Sequence, residues 1–310
     1  MILCVNLNAA IDKTIVVNAF NVGEIHRPEV VKLLAGGKGC NVARALKQFD
    51  EKSVVTGWVG GTAGQLIEKK LQQEGIAADF VYTDFESRTC TSILDNTDQT
   101  MTEIYEKGKL VPPEKVTEML ARFRNIVGAY TAVSLSGSLP PGVPLDFYAQ
   151  LIEIAHEFNV PVFLDSSGEA LLQGVVAKPF LIKPNEKEAA ILAKRKLTTP
   201  SDFVAAASDI SACYETIVVL SQGKNGALAA QGGKVVHVRN PQVKAKSAVG
   251  SGDCMLAGLI VGITQGFDLI EAVKVGVAAG TANTLVIGAA QFSKNDLNEI
   301  FSNVIADHLT

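Results

Sequence analysis

Ala248-Val249-Gly250-Ser251-Gly252-Asp253-Cys254-Met255-Leu256-Ala257-Gly258 sets two glycines and a serine ahead of one aspartate, and an apolar run to residue 263 follows. A glycine-rich turn before such a run predicts a loop that opens a helix. The first N–H groups of a helix lack partners within it, and the macrodipole adds positive potential there, so the turn is a ready anion site. Gly250 and Gly252 let a phosphate come close to the backbone. Asp253 is out of place in a site that only binds an anion, because its charge repels one. It fits as the acceptor of a proton from a hydroxyl that attacks a phosphoryl group. Taken alone, the stretch reads more simply as a turn and a helix cap. The rest of the chain has to choose between the two.

The 310 residues are 47% hydrophobic and 19% charged, the balance of an ordinary globular protein. A formal charge of −4 offers no basic footprint for nucleic acid and no polybasic membrane patch. An anionic substrate must therefore be held by a few placed cations. The five cysteines, Cys4, Cys40, Cys90, Cys213 and Cys254, form no C-x-x-C pair, and with four scattered histidines there is no zinc spacing. Reduced thiols, no basic-flanked leader and no apolar run of ~20 residues predict a cytoplasmic protein without a membrane partner.

Hydrophobic periodicity predicts strands at 2–7, 14–17, 30–34, 53–59, 132–135, 160–164, 180–182 and 216–220, and a hairpin at 227–230 and 235–238. It predicts helices after 41, at 65–73, 114–126, 145–157, from 186, and at 202–211, 254–264, 269–284 and 297–305. Their alternation implies an α/β protein with a mostly parallel central sheet flanked by helices on both faces. A threonine-rich hairpin (88–94 with 99–105) and the early strands stand apart from that pattern. The prediction is one domain over 1–310 with a small β-sheet lid formed by about 13–34 and 88–106. Polar clusters follow the strands: Asp12, Ser136-Gly137-Ser138, Asp165-Ser166-Ser167-Gly168, Lys183-Pro184-Asn185, Ser221-Gln222-Gly223 and 250–253. Loops at the carboxyl ends of the strands of an open α/β sheet are where its ligands bind.

A Walker A loop is absent, since Lys38 is followed by Gly39, and Gly37-Lys38-Gly39 lacks the third glycine of a dinucleotide fingerprint. Instead, Gly36-Gly37-Lys38-Gly39-Cys40-Asn41-Val42-Ala43 and residues 249–258 together resemble the two signatures of the PfkB (ribokinase-like) carbohydrate kinase family. The resemblance covers essentially the whole chain. It runs through Ser136-Gly137-Ser138-Leu139-Pro140-Pro141-Gly142, Asp165-Ser166-Ser167-Gly168, Lys183-Pro184-Asn185-Glu186-Lys187-Glu188 and Ser221-Gln222-Gly223-Lys224-Asn225-Gly226. These segments are most similar to the hexose-phosphate kinase branch, which holds 1-phosphofructokinases, tagatose-6-phosphate kinases and a minor 6-phosphofructokinase.

The resemblance implies a ribokinase-like fold and an ATP-dependent, Mg²⁺-requiring kinase that turns a ketohexose monophosphate into the bisphosphate. It implies Asp253 as catalytic base, with Gly250, Ser251 and Gly252 as the anion hole. Asp12, Gly36, Gly37, Asn41 and Ser138 would surround the sugar, and Lys38, Arg27 and Arg88 would hold the phosphate it already carries. Lys183, Asn185, Ser221, Gly223, Gly226, Gly252 and Asn283 would border the nucleotide, and Asn185 and Glu188 would act on the metal and its waters. By spacing alone, Asn185 with Glu188 is also a capping box, and Arg27 is equally a solvated surface group. The family's lids imply a homodimer paired through the small sheet. Two alternatives stand beside this reading: a kinase of this type for another sugar or sugar phosphate such as fructose-6-phosphate, and an inactive sugar- or nucleotide-binding regulator. Lys38 and Arg88 would lack a partner on a neutral sugar, and the intact Asp253 and its glycines argue against the inactive regulator.

Overall fold

The computed structural model describes residues 1–309. Its first strands and helices are β1 (Ile2–Val5), β2 (Ala10–Val17), β3 (Val30–Gly36), α1 (Lys38–Gln48), β4 (Ser53–Thr56), β5 (Trp58–Gly60) and α2 (Gly61–Gln73). Next come β6 (Ala77–Ala78), β7 (Val81–Thr83), β8 (Arg88–Asp95), β9 (Met101–Tyr105), α3 (Pro113–Ile126), β10 (Ala132–Ser136), α4 (Phe147–Glu157), β11 (Val162–Asp165) and α5 (Gly168–Val176). The remainder is β12 (Leu181–Ile182), α6 (Glu186–Leu192), α7 (Pro200–Tyr214), β13 (Ile217–Ser221), β14 (Ala227–Gln231), β15 (Lys234–Arg239), α8 (Ser251–Thr264), α9 (Leu269–Asn283), α10 (Lys294–Phe301) and β16 (Ile305–His308).

Ten strands form one sheet in the order β16-β15-β14-β13-β12-β11-β10-β1-β4-β6. It is parallel from β13 to β6 and antiparallel across β13 to β16. Strand residues alternate between two cores, as a period of two demands. Ile2 and Cys4 face the layer that holds α1, α8 and α9, while Leu3 and Val5 face α3, α4 and α7. Helices α8 and α9 approach closely because glycines meet there: a Cβ on Gly258 would lie 2.8 Å from Gly276 Cα. A second sheet, β3-β2-β8-β9, stands beside the first over its carboxyl edge.

Several boundaries differ from the sequence expectation. The strand predicted over 53–59 breaks at Gly57, where a Cβ would fall 2.1 Å from the Asn6 carbonyl oxygen, and its two halves join different sheets. Asp12 is not at the end of the first strand but inside β2 of the small sheet. Helix α5 follows the Asp165 cluster unannounced, because Ser166 to Glu169 mask its start. The helix predicted over 297–305 ends at Phe301, and Ile305 instead opens an edge strand against β15.

Candidate active site

Strand β1 neighbours β10 on one side and β4 on the other, so the order of the sheet reverses at its carboxyl end. There Asn6, 2% exposed, is enclosed by the glycine-rich turn. Its Nδ2 donates to the Gly36 carbonyl (3.0 Å) and to Cys40 Sγ (3.1 Å). Gly37 has φ 98°, and a Cβ there would lie 2.4 Å from Asn6 Oδ1. A Cβ on Gly36 would lie 2.2 Å from Asp12 Cγ. The two glycines therefore let the start of α1 settle between a buried amide and a carboxylate. Burial pushes the Asp12 carboxyl up to about 6, against the lowering pull of Arg44, Arg88 and the Gly37 N–H; Glu103 adds to the rise.

Gly250 opens α8 in the left-handed region at φ 78°, and a Cβ there would lie 2.4 Å from Ala289 Cβ. The first turn then points into the cleft. Asp253, 5% exposed, accepts a hydrogen bond from Asn41 Nδ2 at 2.8 Å. Burial pushes its carboxyl up to about 6; Lys38 opposes this, Asp165 adds to it, and Asn41 and Lys183 oppose it. Such a group is ionised at neutral pH and still basic enough to take a proton.

Asp165, the last residue of β11, gathers two lysines. Lys38 Nζ donates to Oδ1 at 3.0 Å, and Lys183 Nζ stands 3.1 Å from Oδ2 as an ion pair. Burial raises the Asp165 carboxyl, but Lys183 and Lys38 outweigh it and hold it below the ordinary carboxylate value. Burial pulls Lys38 down, yet Asp165, Asp253 and Glu188 together hold it above the usual lysine value. Lys183 also borders the helix start, since a Cβ on Gly252 would lie 3.4 Å from its Nζ.

The three cations expected on the sugar's phosphate are separated. Lys38 belongs to the Asp253–Asp165 cluster, and its side chain keeps 40% exposure. Arg88 lies nearer Asp12; it donates to the carbonyls of Asn8 (3.2 Å) and Glu106 (3.1 Å). Arg27 is exposed in the turn between β2 and β3. Ser138 reaches the same edge, where its Oγ accepts from Asn8 Nδ2 at 3.1 Å.

A neighbouring cleft of about 390 Å³ is lined by Ser221, Gly223, Gly226, Ser251, Gly252, Met255, Val277 and Gly280 among others, a size that suits a nucleotide base and sugar. Gly226 has φ 88°, and a Cβ there would lie 2.0 Å from the Val238 carbonyl oxygen. Asn283 was expected to border the nucleotide. It is fully buried, its Nδ2 donates to Val249 O (2.8 Å) and Ser251 Oγ (3.1 Å), and its Oδ1 accepts from Ala290 N (2.7 Å). With its polar atoms so committed, it braces the turn that opens α8 and does not line the cleft.

Asn185 and Glu188 form a complete capping box on α6: Asn185 Oδ1 accepts from the N–H of Lys187 and Glu188, and Glu188 Oε2 accepts from Asn185 N. Asn185 Nδ2 and Glu188 Oε1 stay available, and Glu188 acts electrostatically on Lys38. Among the described residues no group of three or more His, Cys, Asp or Glu is gathered for a metal. One carboxylate and one amide fit a Mg²⁺ that takes most of its ligands from phosphate oxygens and water. Four residues of this site carried no role in the sequence reading: Asn6, Arg44, Glu74 and Asp165. Asp165 was visible as an acid ending a strand, and Arg44 as a cation three residues after Asn41; nothing local marked the other two.

A mostly parallel α/β sheet whose carboxyl edge carries a glycine-opened helix, a buried acid and paired lysines is suited to handling a phosphoryl group. The chain matches the pfkB family carbohydrate kinases over residues 5–296 and belongs to that family; it is an ATP-dependent carbohydrate kinase. It is 32% identical over 307 residues to a tagatose-6-phosphate kinase of Staphylococcus epidermidis, covering 98% of each chain. Its structure is similar to phosphofructokinase-2 from Escherichia coli in complex with potassium (TM-score 0.91, 28% identity, 97% of this chain and 98% of that one). It is also similar to a possible 1-phosphofructokinase from Thermotoga maritima (TM-score 0.90, 26% identity, 100% of both chains). Among the described residues no helix is long and apolar enough to cross a membrane.

Proposed function

We propose that the protein transfers the γ-phosphoryl group of ATP to the free primary hydroxyl of a ketohexose monophosphate, as a 1-phosphofructokinase or a tagatose-6-phosphate kinase. The observation that carries this reading is Asp253, a buried carboxylate immediately after the glycine pair opening α8, in a chain similar over its whole length to hexose-phosphate kinases. The hydroxyl oxygen attacks the γ-phosphorus in line, Asp253 accepts its proton, and the bond to the β-γ bridging oxygen breaks to release ADP. The N–H groups at the start of α8, with Lys183 beside them and Lys38 on the facing side, hold the charge that spreads over the phosphoryl oxygens. Asp12 and the Asn41 amide suit paired sugar hydroxyls. Arg88, close to Asp12, and Arg27 are left for the phosphate at the other end of the sugar. Asn185 Nδ2 and Glu188 Oε1 would hold a Mg²⁺ and its waters, and the ion would supply positive charge against the triphosphate.

We assign the small sheet as the lid that keeps water from the phosphoryl group. Both of its edge strands expose apolar side chains, Val31 (49%) on β3 and Ile104 (58%) on β9, which fits a second copy docked there. The test is the relative kcat/KM on fructose-1-phosphate, tagatose-6-phosphate, fructose-6-phosphate and unphosphorylated fructose. One of the first two is expected to lead, with the unphosphorylated sugar lower by about 100-fold or more, because a site built around a charged group rejects an acceptor lacking it. Equal use of fructose would overturn the assignment.

A further inference from the structure

Arg44 lies on α1, 3% exposed, one helical turn from Asn41 and beneath the site. All three of its guanidinium nitrogens are engaged. Nε and Nη2 grip Glu74 at 2.5 and 3.1 Å, Nη2 also donates to the Ala35 carbonyl at 2.9 Å, and Nη1 donates to Asn41 Oδ1 at 3.1 Å. Glu74 is the C-cap residue of α2, and Ala35 immediately precedes the Gly36–Gly37 turn. One side chain therefore joins α2, the end of β3 and the start of α1.

An arginine can only donate, so the Asn41 amide atom facing it must be the oxygen. The NH₂ group is thereby turned to Asp253 Oδ2, which it meets at 2.8 Å. We infer that Arg44, clamped by Glu74, is a positioning residue that fixes the orientation of the Asn41 amide and so holds the Asp253 carboxylate in its reactive pose. Without the clamp only the carboxylate itself orients the amide, the amide is free to swing, and its 2.8 Å bond to Asp253 loosens. This inference rests on the proposed role of Asp253.

The groups facing Asp253 are Asn41 and Lys38 from α1, Asp165 from β11 and Lys183 after β12. Of these only Asn41 is hydrogen-bonded by Arg44, whose charge also lowers the nearby Asp12 carboxyl; R44K keeps that charge and removes the fork that grips the amide. Loss of the clamp should therefore disturb Asp253 through the amide and leave the lysines in place. Because the Asn41 bond favours the ionised form, losing it moves the titration of Asp253 upward.

The experiment compares pH profiles of kcat for the wild type, R44K, E74Q, N41A and the N41A/R44K double variant, each checked for folding by circular dichroism. R44K and E74Q are expected to lower kcat about tenfold, leave KM for ATP within about twofold, and shift the acidic limb upward. The double variant should be no worse than N41A alone, because coupled residues are not additive. A merely structural role would lower the active fraction without moving the limb. An unmoved limb in both R44K and E74Q, or a double variant whose loss is the product of the two single losses, would overturn the inference. The side-chain ¹⁵N amide signal of Asn41, followed without substrate, separates this outcome from failure of the proposed reaction. It should track a titration near pH 6 in the wild type that D253N removes and R44K displaces. A signal in R44K that titrates as in the wild type would also overturn the inference.

Discussion

Asp253 and Asp12 are both carboxylates raised to about 6 by burial, one beside the helix start and one beside the glycine-rich turn. Both must be ionised to accept hydrogen, so kcat/KM should fall as pH drops through about 6. The same shifts act on stability with a fixed sign. Each group has a folded pKa above its unfolded value, so the folded state binds more protons between about 4 and 6. The stability each contributes is fully present below about 4 and is lost as pH rises through about 6. Replacing Asp253 by Asn removes the buried charge. D253N is expected to lose at least about 10³-fold in turnover, bind ATP normally, and gain about 2–3 kcal/mol of stability near neutral pH. Calorimetry and a coupled assay check both arms; near-normal turnover would place the base elsewhere. Lys38 was expected on the sugar's own phosphate, but its ammonium stands on Asp165 beside Asp253. K38A should therefore lower kcat about 10²-fold or more and raise KM for the sugar phosphate less than kcat falls. The opposite split in steady-state kinetics would return Lys38 to the distal phosphate.

At the scale of elements, α8 is held in place by contacts that only glycine allows. A Cβ on Gly258 would meet Gly276 Cα and the Val275 carbonyl oxygen, both at 2.8 Å, and backbone cannot yield as a flexible side chain can. G258A should therefore push α8 from α9 and cost about 1–3 kcal/mol, seen as a lower melting temperature. Because Asn283 ties α9 to Val249 and Ser251, the same change should also weaken ATP binding. An unchanged melting temperature would mean that the helices have room to spare. The apolar run after Asp253 made α8 legible as a helix, and the glycine pair marked its start. The role of Asn283 was not legible, since only the folded chain shows that its amide is spent on the turn before α8. The ends of short strands were equally hidden, as Gly57 shows: its break answers to the Asn6 backbone, fifty-one positions earlier in the chain.

For the whole molecule, the exposed apolar edges of the small sheet predict association. A V31K/I104K variant should shift the mass measured by light scattering from dimer to monomer and raise KM for the sugar, if the partner sheet helps to close the site. A monomeric wild type would sink that prediction. By itself, the sequence determined the fold class and the helix that the glycine pair opens, because these depend on local spacing: alternation of strand and helix, glycine before an apolar run. The role implied for Asp253 rested on the resemblance of several motifs to one family, since the stretch alone reads as a turn and a cap. The tertiary structure decided which charges work together. Lys38, Asp165 and Lys183 come from three separate segments, and Arg44 acts on Asp253 only through an amide and a distant glutamate. Such contacts depend on distances of about 3 Å between residues far apart in the chain, which no local pattern encodes.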